Sequence, residues 1–182
     1  RDRAGKVDGR AVEIQRLIGR SLRTIVNLDI IGERTIWLDC DVIESDGGTR
    51  TTAINGSLVA MIDGLNWLKK QPLRPAHPGK PEPKPLPPIR EILKDSIAAV
   101  SVGLLEGQPL LDLNYPEDRD AEVDLNLVLT GSGQFVEIQA GGEEATFSQS
   151  QLDKLLTFGR EGISGIRAMQ KKALGVAWPF GK

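Results

Sequence analysis

Apolar residues recur at three- and four-residue spacing in three stretches of the chain, which predicts three amphipathic helices. The first covers residues 10–27 and the second covers residues 53–68. The third begins near Ser148, because Ser148 and Gln151 fit a capping box in front of a run of apolar positions. This third stretch also contains glycines, which lower helix propensity but permit close packing: Gly159, Gly162 and Gly165.

The residue pattern predicts five strands, with alternating apolar and polar positions at residues 34–44, 122–130 and 134–140. One precedes the second helix, at residues 34–44, and four follow it, at residues 97–105, 109–114, 122–130 and 134–140. The last two are joined by Thr-Gly-Ser-Gly, a sequence typical of a hairpin turn. The order helix, strand, helix, four strands, helix predicts the α+β class. We expect a mixed or mostly antiparallel β-sheet packed with helices.

The length of 182 residues suits a single domain, residues 1–182, with a core of its own. Residues 71–90 hold eight of the eleven prolines and are predicted to form an exposed loop. An insertion tolerated at the surface fits this loop better than a polyproline ligand, and His77 within it is expected to be exposed rather than catalytic. The chain begins at Arg1 in a polar stretch, so we expect that an N-terminal part of the domain is missing.

The formal net charge of −2 argues against a surface coated in basic residues. Basic charge is nevertheless concentrated in the first 23 residues, and three arginines of the first helix share one face: Arg16, Arg20 and Arg23. That face is either solvated or directed at RNA or another subunit. The sequence has no apolar run of about eighteen residues and one cysteine, Cys40, which favours a cytoplasmic protein without a membrane span.

Residues 46–51, Asp-Gly-Gly-Thr-Arg-Thr, join the predicted strand at 34–44 to the second helix. Consecutive glycines allow backbone amides to turn towards an anion, and the start of a helix adds unpaired N–H groups. Arg50 adds a planar set of donors suited to phosphate. A purely structural turn with a helix cap is about equally supported by these residues, and the spacing of a P-loop is absent.

A second cluster is acidic and contains Glu117, Asp118, Asp120, Glu122 and Asp124. Asp124 falls on the polar face of an otherwise apolar strand, and Asp118 lies in the loop before it. Two carboxylates beside a phosphate suit Mg²⁺, and one of them could instead act as a general acid. Taken alone, the residues favour an acidic surface loop.

Four blocks of the chain resemble, in order, the signature blocks of the ribonuclease PH family: residues 9–23, 32–51, 98–103 and 113–130. The G-G-T-R-T sequence and the E-D…D pattern are the most specific of these matches. Family members are phosphorolytic 3′→5′ exoribonucleases that trim tRNA precursors and release nucleoside diphosphates. They are related to exosome ring subunits and polynucleotide phosphorylase. The resemblance implies a βαβα-type domain, here apparently lacking its N-terminal strands.

The resemblance also implies the site. Arg10, Gly48, Thr49 and Arg50 match the family's phosphate-binding positions, with inorganic phosphate as co-substrate. The carboxylates implicated in catalysis and in Mg²⁺ binding are matched by Asp118 and Asp124. Two further arginines would lie in or near the segment that binds tRNA: Arg1 and Arg3.

The family forms hexameric rings built as trimers of dimers, and the apolar faces of the helices at 10–27 and 53–68 favour such a homo-oligomer. The chain departs from the family in its long proline-rich stretch and at residues 139–142. A non-catalytic, RNA-binding ring subunit is the main alternative, and retention of the arginines and carboxylates argues against it. A domain of polynucleotide phosphorylase is a second alternative, and a small-molecule phosphate-binding enzyme fits the ordered blocks poorly.

Overall fold

A four-stranded sheet organises the part of the chain that the computed structural model describes, residues 9–73, 79, 84–142 and 145–181. Its strands are β1 (Ile97–Leu105), β2 (Gln108–Leu111), β3 (Val123–Thr130) and β4 (Phe135–Gly142), in the order β2-β1-β3-β4. Every neighbouring pair is antiparallel. The α+β class is confirmed, and this sheet is antiparallel rather than mixed. The bounds of the four strands are close to those predicted from the sequence.

Three long helices match the apolar periodicity: α1 (Gly9–Ile25), α3 (Thr49–Lys69) and α6 (Gln149–Leu174). Ser148 and Gln151 form the expected capping box at the start of α6. The short helices α2 (Leu28–Ile31), α4 (Ile89–Ile92) and α5 (Tyr115–Asp120) were not expected. A 3-10 turn at Gly175–Ala177 follows α6. None of the helices in the described ranges is both long and apolar enough to cross a membrane.

The helices cover the two faces of the sheet separately. Side chains of successive residues in a strand point to opposite faces, so each strand contributes to two cores. Ile97, Ala99 and Val128 join the core under α1 and α3. The alternate positions of β1 and β3 join Leu155 and Ile163 of α6 in a second core.

Two glycines let α6 approach the sheet closely. A Cβ at Gly159 would lie 2.5 Å from a methyl group of Leu127, and one at Gly162 would lie 2.6 Å from a methyl group of Leu111. Gly165 has no such neighbour within 4 Å. The close packing expected from the glycines is therefore confirmed at the first two positions and not at the third.

The edge of β1 beyond the end of β2 is completed by side chains. The Asn55 amide of α3 donates to the carbonyl of Ala99 and accepts from its N–H, both at 2.8 Å. Gln170 of α6 donates to the carbonyl of Ile97 at 3.1 Å. These contacts satisfy backbone groups of a buried strand that pair with no neighbouring strand on this side.

The β3–β4 hairpin turn forms where it was predicted, and Asp95 anchors it. Its carboxylate accepts the backbone N–H of Ser96 at 2.7 Å and that of Ser132 at 2.9 Å. Burial pushes the pKa of Asp95 upward. Hydrogen bonds from Ser132, Ser96 and the Thr130 hydroxyl outweigh burial, so the pKa lies below its ordinary value.

The strand predicted at residues 34–44 is wrong. This segment forms no strand. Leu38 and Cys40 pack partly against the core, whereas other apolar side chains are exposed, with Trp37 at 89% and Ile43 at 97%. A strand requires a partner for its backbone N–H and C=O groups, and no described strand pairs with it. Alternation in the sequence therefore predicted an element whose partner is not among the described residues.

The three arginines that share one face of α1 have different environments in the structure. Arg20 forms a bidentate ion pair with Glu137 of β4, at 2.9 and 2.7 Å. Arg16 and Arg23 are exposed. Arg20 thus links α1 to the edge strand β4. Arg16 and Arg23 fit the prediction of a solvated face. His77 lies outside the described residues.

Candidate functional site

The Gly47–Gly48 turn begins helix α3. Gly48 is the N-cap residue and has a left-handed backbone with φ of 56°, while Gly47 has φ of 148°. Both values favour glycine because a Cβ would strain them. The carbonyl of Gly48 accepts from the N–H of Thr52 and from the hydroxyl of Thr51, each at 2.9 Å. No side chain caps α3, so its first amides remain oriented towards an external acceptor.

This turn packs directly against the segment that leads into α5. A Cβ at Gly47 would lie 2.3 Å from the carbonyl oxygen of Leu113, which requires glycine there. The Asp46 carboxylate accepts the N–H of Tyr115 at 3.5 Å. The glycine-rich motif and the acidic motif, some 65 residues apart in sequence, are therefore neighbours in the structure.

Helix α5 presents the first of the predicted carboxylates. Asn114 and Glu117 form a capping box, with each side chain accepting the other residue's backbone N–H at 3.0 Å. The Asp118 N–H donates to the carbonyl of Asn114, and its side chain is exposed. The expected loop is therefore a short capped helix. Asp120 pairs with neighbouring Arg119, which lowers the pKa of Asp120 through their hydrogen bond.

Arg50 reaches from α3 to α1. Its Nη2 lies 3.3 Å from a carboxylate oxygen of Glu13, and its Nε is buried without a hydrogen-bond partner among the described residues. Arg10 lies about one turn before Glu13 on α1, so the ion pair brings the start of α1 towards the first turn of α3. Glu13 holds Arg50 in a limited set of positions.

Asp124 lies on β3, opposite Gly103 of β1. It is half-buried, and one of its carboxylate oxygens accepts the side-chain N–H of Asn126 at 3.1 Å. By strand parity, both side chains belong to the face under α1 and α3. The same face of β1 carries Ser101, whose neighbour across the strands is Asn126.

An open cleft of about 300 Å³ lies beside the turn. Its lining joins the segment before α3 to the segment before α5 and includes Glu44, Ser45, Asp46, Gly47, Thr49, Thr52 and Asp112. Asp112 has a left-handed backbone, with φ of 58°, which is uncommon outside glycine. Its N–H donates to the carbonyl of Ser101 at 2.8 Å.

Sequence reasoning did not single out Glu13, Ser101 or Asp112. Ser101 carried a usable signal, because it is a polar residue at an inward position of an apolar strand. Glu13 and Asp112 carried none, since exposed acidic residues are common. Arg1 and Arg3 lie outside the described residues. Over the described ranges, no three histidine, cysteine or acidic side chains are arranged to hold a metal ion.

Comparisons with known proteins match both halves of this site. Residues 1–64 match the family model described as 3′ exoribonuclease family, domain 1, and residues 95–162 match the model for domain 2 of the same family. The chain belongs to the 3′ exoribonuclease family. The turn at Gly48 falls within the first match, Asp118 and Asp124 fall within the second, and the proline-rich stretch lies between them.

Curated relatives named ribonuclease PH extend this match. The chain is 52% identical over 172 residues to that of Listeria welshimeri, covering 94% of this chain and 64% of the relative. It is 48% identical over 172 residues to that of Syntrophomonas wolfei, covering 94% of this chain and 66% of the relative. The chain thus spans somewhat less than two thirds of the length of these members of the 3′ exoribonuclease family.

A solved structure supports the fold. The crystal structure of rice (Oryza sativa) Rrp46 superposes with a TM-score of 0.66 over 94% of this chain and 68% of that chain. The sequence identity is 18%, so this likeness concerns the fold alone.

Proposed function

We propose that the protein is a phosphate-dependent 3′→5′ exoribonuclease, a nucleotidyltransferase that shortens RNA 3′ ends and releases nucleoside diphosphates. The packing of the glycine turn at Gly47 against the segment before α5 carries this proposal. It brings an anion-binding helix start beside a carboxylate-bearing segment, as phosphorolysis requires. Membership of the 3′ exoribonuclease family and the ribonuclease PH relatives support the same activity.

In this proposal, inorganic phosphate is bound by the glycine turn at Gly48 and by two arginines. The amides of Gly48 and Thr49 donate to phosphate oxygens at the positive end of α3. Arg50 adds charge-assisted hydrogen bonds, and Arg10 supplies a second cation from the first turn of α1. The Glu13 carboxylate limits the movement of Arg50 before phosphate binds. Such fixed donors favour an orientation in which one phosphate oxygen faces the RNA.

The chemical step is an exchange at phosphorus. An oxygen of the bound phosphate attacks the last internucleotide phosphorus, and the bond from that phosphorus to the 3′ oxygen of the preceding nucleotide breaks. The terminal nucleotide leaves as a nucleoside diphosphate. The departing 3′ oxygen needs a proton, and the carboxyl groups of Asp118 and Asp124 are the candidate donors. Positioning and electrostatics account for such catalysis without a covalent enzyme intermediate.

Mg²⁺ is the proposed cofactor. The oxygen ligands at Asp118 and Asp124 fit this ion, which takes few protein carboxylates and completes its shell with substrate phosphates and water. When bound, Mg²⁺ would offset negative charge on the phosphate oxygens.

The proposed substrates are tRNA precursors and other RNA 3′ ends, and the proposed assembly is a homo-oligomer, a hexameric ring. Arg1 and Arg3 are proposed to contact the body of the tRNA. We place this activity in the cytoplasm, where the reducing conditions suit a chain with one free cysteine, Cys40. Membership of the 3′ exoribonuclease family supports RNA 3′ ends as the substrates.

An Arg50→Ala variant tests the phosphate site. Loss of a charge-assisted donor pair should raise the phosphate KM by about tenfold to a hundredfold, since hydrogen bonds to charged groups are worth about 1.5–3 kcal/mol. The RNA KM should change little. The measurement is the rate of RNA shortening against phosphate concentration.

Arg160→Ala is the matched control, because Arg160 lies on α6 at the opposite face of the sheet with its guanidinium over the Phe135 ring. Its phosphate KM should equal that of the unmodified protein. Equal phosphate KM values for the Arg50→Ala and Arg160→Ala variants would contradict the phosphate site. RNA binding without any phosphate-dependent shortening by the unmodified protein would favour the non-catalytic ring subunit instead.

A further inference from the structure

We propose that Ser101 is a further phosphate-binding residue, whose hydroxyl donates to an oxygen of the bound phosphate. This inference rests on the proposed function and adds a residue from the sheet to a site so far built from helix starts. Ser101 lies on β1, opposite Asn126 of β3, and its side chain is on the face under α1 and α3. It is 4% exposed, so little of it reaches solvent.

The Ser101 hydroxyl lies beside the glycine turn. The point where a Cβ of Gly48 would stand is 3.7 Å from Ser101 Oγ, 3.1 Å from Thr51 Oγ1 and 3.9 Å from a carboxylate oxygen of Asp112. Side-chain oxygens of Thr51, Ser101 and Asp112 therefore lie around Gly48, the N-cap residue of α3. Any side chain at position 48 would fill the space between Ser101 and the turn.

Ser101 Oγ is also buried without a hydrogen-bond partner among the described residues. Burying a hydroxyl in this way costs free energy, and a group left so in a folded protein calls for an explanation. Arg50 Nε, at the same turn, is a second buried donor without a partner in the described ranges. Two unsatisfied donors at one helix start fit a ligand with several acceptor oxygens, and inorganic phosphate is such a ligand.

A Ser101→Ala variant separates this role from a structural one. Removing an unsatisfied buried hydroxyl should leave the unfolding temperature without phosphate unchanged or higher. The phosphate concentration needed for half of the ligand-induced stabilisation should rise by about tenfold, as expected for a lost hydrogen bond to an anion. The phosphate KM for RNA shortening should rise by a similar factor, while the RNA KM stays constant.

Ser21→Ala is the matched control. Ser21 is fully buried on α1, and its hydroxyl also lacks a partner among the described residues, but it lies about three turns beyond Arg10. Its phosphate dependence should equal that of the unmodified protein. A Ser101→Cys variant keeps the side-chain volume with a weak donor and should reproduce the Ser101→Ala result, which excludes a cavity as the cause.

The outcomes distinguish this inference from the proposed function. If Arg50→Ala weakens phosphate binding and Ser101→Ala does not, the phosphate site stands and Ser101 is not part of it. A lower unfolding temperature with unchanged phosphate dependence would likewise assign Ser101 a structural role and overturn the inference. If neither variant changes phosphate dependence, the phosphate site at this turn is itself wrong.

Discussion

Asp124 is a charged residue within a strand whose other inward positions are mostly buried. Half-burial and the hydrogen bond from Asn126 fix one carboxylate oxygen, and our proposal assigns Asp124 a role in catalysis. The fixed position of its carboxylate therefore agrees with the catalytic role that we propose for Asp124.

An Asp124→Asn variant should lose phosphorolysis by about a hundredfold or more, as expected for removal of an acid–base group or a metal ligand. Folding and RNA binding should be largely retained, because the amide has the same shape. The measurement is single-turnover RNA shortening at saturating phosphate. Asp63→Asn, at an exposed position in the later turns of α3, provides the control and should retain full activity. Turnover near that of the control would show that Asp124 has no catalytic role.

At the scale of elements, the edge of β1 depends on side chains rather than on another strand. Asn55 gives both its donor and its acceptor to the backbone of Ala99, and in doing so joins α3 to the sheet. The start of α3 carries the turn that we propose binds phosphate, so this contact also helps to position Gly48 and Arg50 relative to β1. The side-chain amide of Asn55 therefore contributes both to stability and to the geometry of the proposed site.

An Asn55→Ala variant should lower the free energy of unfolding by about 1–3 kcal/mol, because it leaves the buried N–H and C=O of Ala99 unsatisfied. Urea denaturation followed by circular dichroism measures this change. Asn66→Ala on the same helix is the control, since the Asn66 side-chain nitrogen is buried without a partner in the described ranges and its removal should cost little. Equal losses in the two variants would show that the edge contact contributes nothing beyond helix packing.

Across the whole molecule, the apolar faces of α1 and α3 do not support assembly as the sequence led us to expect. Leu17 of α1 and Ile54 and Leu58 of α3 are buried in the core of the chain itself. Exposed apolar area lies instead at the end of α3, at Trp67 and Leu68, and in the extended segment before α3, at Trp37 and Ile43. Exposed apolar side chains of this kind mark a surface that another segment or another subunit can cover.

The purified protein should therefore form a homo-oligomer, and light scattering should give a mass several times that of one chain. Trp37→Glu should lower this mass, because a charge would be buried at the interface. Val176→Glu, at an exposed position after α6, should leave it unchanged. A monomeric mass over a wide range of protein concentration would contradict assembly.

Charge is also a property of the whole molecule, and its distribution matters more than the net value of −2. Replacing Arg1 and Arg3 by alanine should weaken binding of structured tRNA precursors. The negative slope of log affinity against log salt concentration should become less steep by about 1–2. With fewer phosphate contacts, fewer counterions are released on binding. Shortening of a small single-stranded oligonucleotide should change little. Lys171→Ala with Lys172→Ala, in the last turn of α6, is the charge-matched control. An unchanged slope would exclude these arginines from RNA binding.

The sequence by itself determined the elements whose signals are local. Apolar spacing located α1, α3 and α6, the residue pattern located the four paired strands, and the Ser148–Gln151 pair marked the start of α6. These features depend on residues a few positions apart, whose interactions are nearly the same in any fold. The ordered blocks likewise fixed the family, because they preserve residue types at characteristic spacing.

Tertiary structure alone decided which distant residues meet. The contact of Gly47 with Leu113, the ion pair of Glu13 with Arg50 and the position of Ser101 beside Gly48 all depend on how helices lie on the sheet. No local pattern encodes such contacts, because they arise from register and packing between separate elements. The same reason explains the failure at residues 34–44. Alternation describes one strand, whereas a strand forms only where a second backbone satisfies its hydrogen bonds.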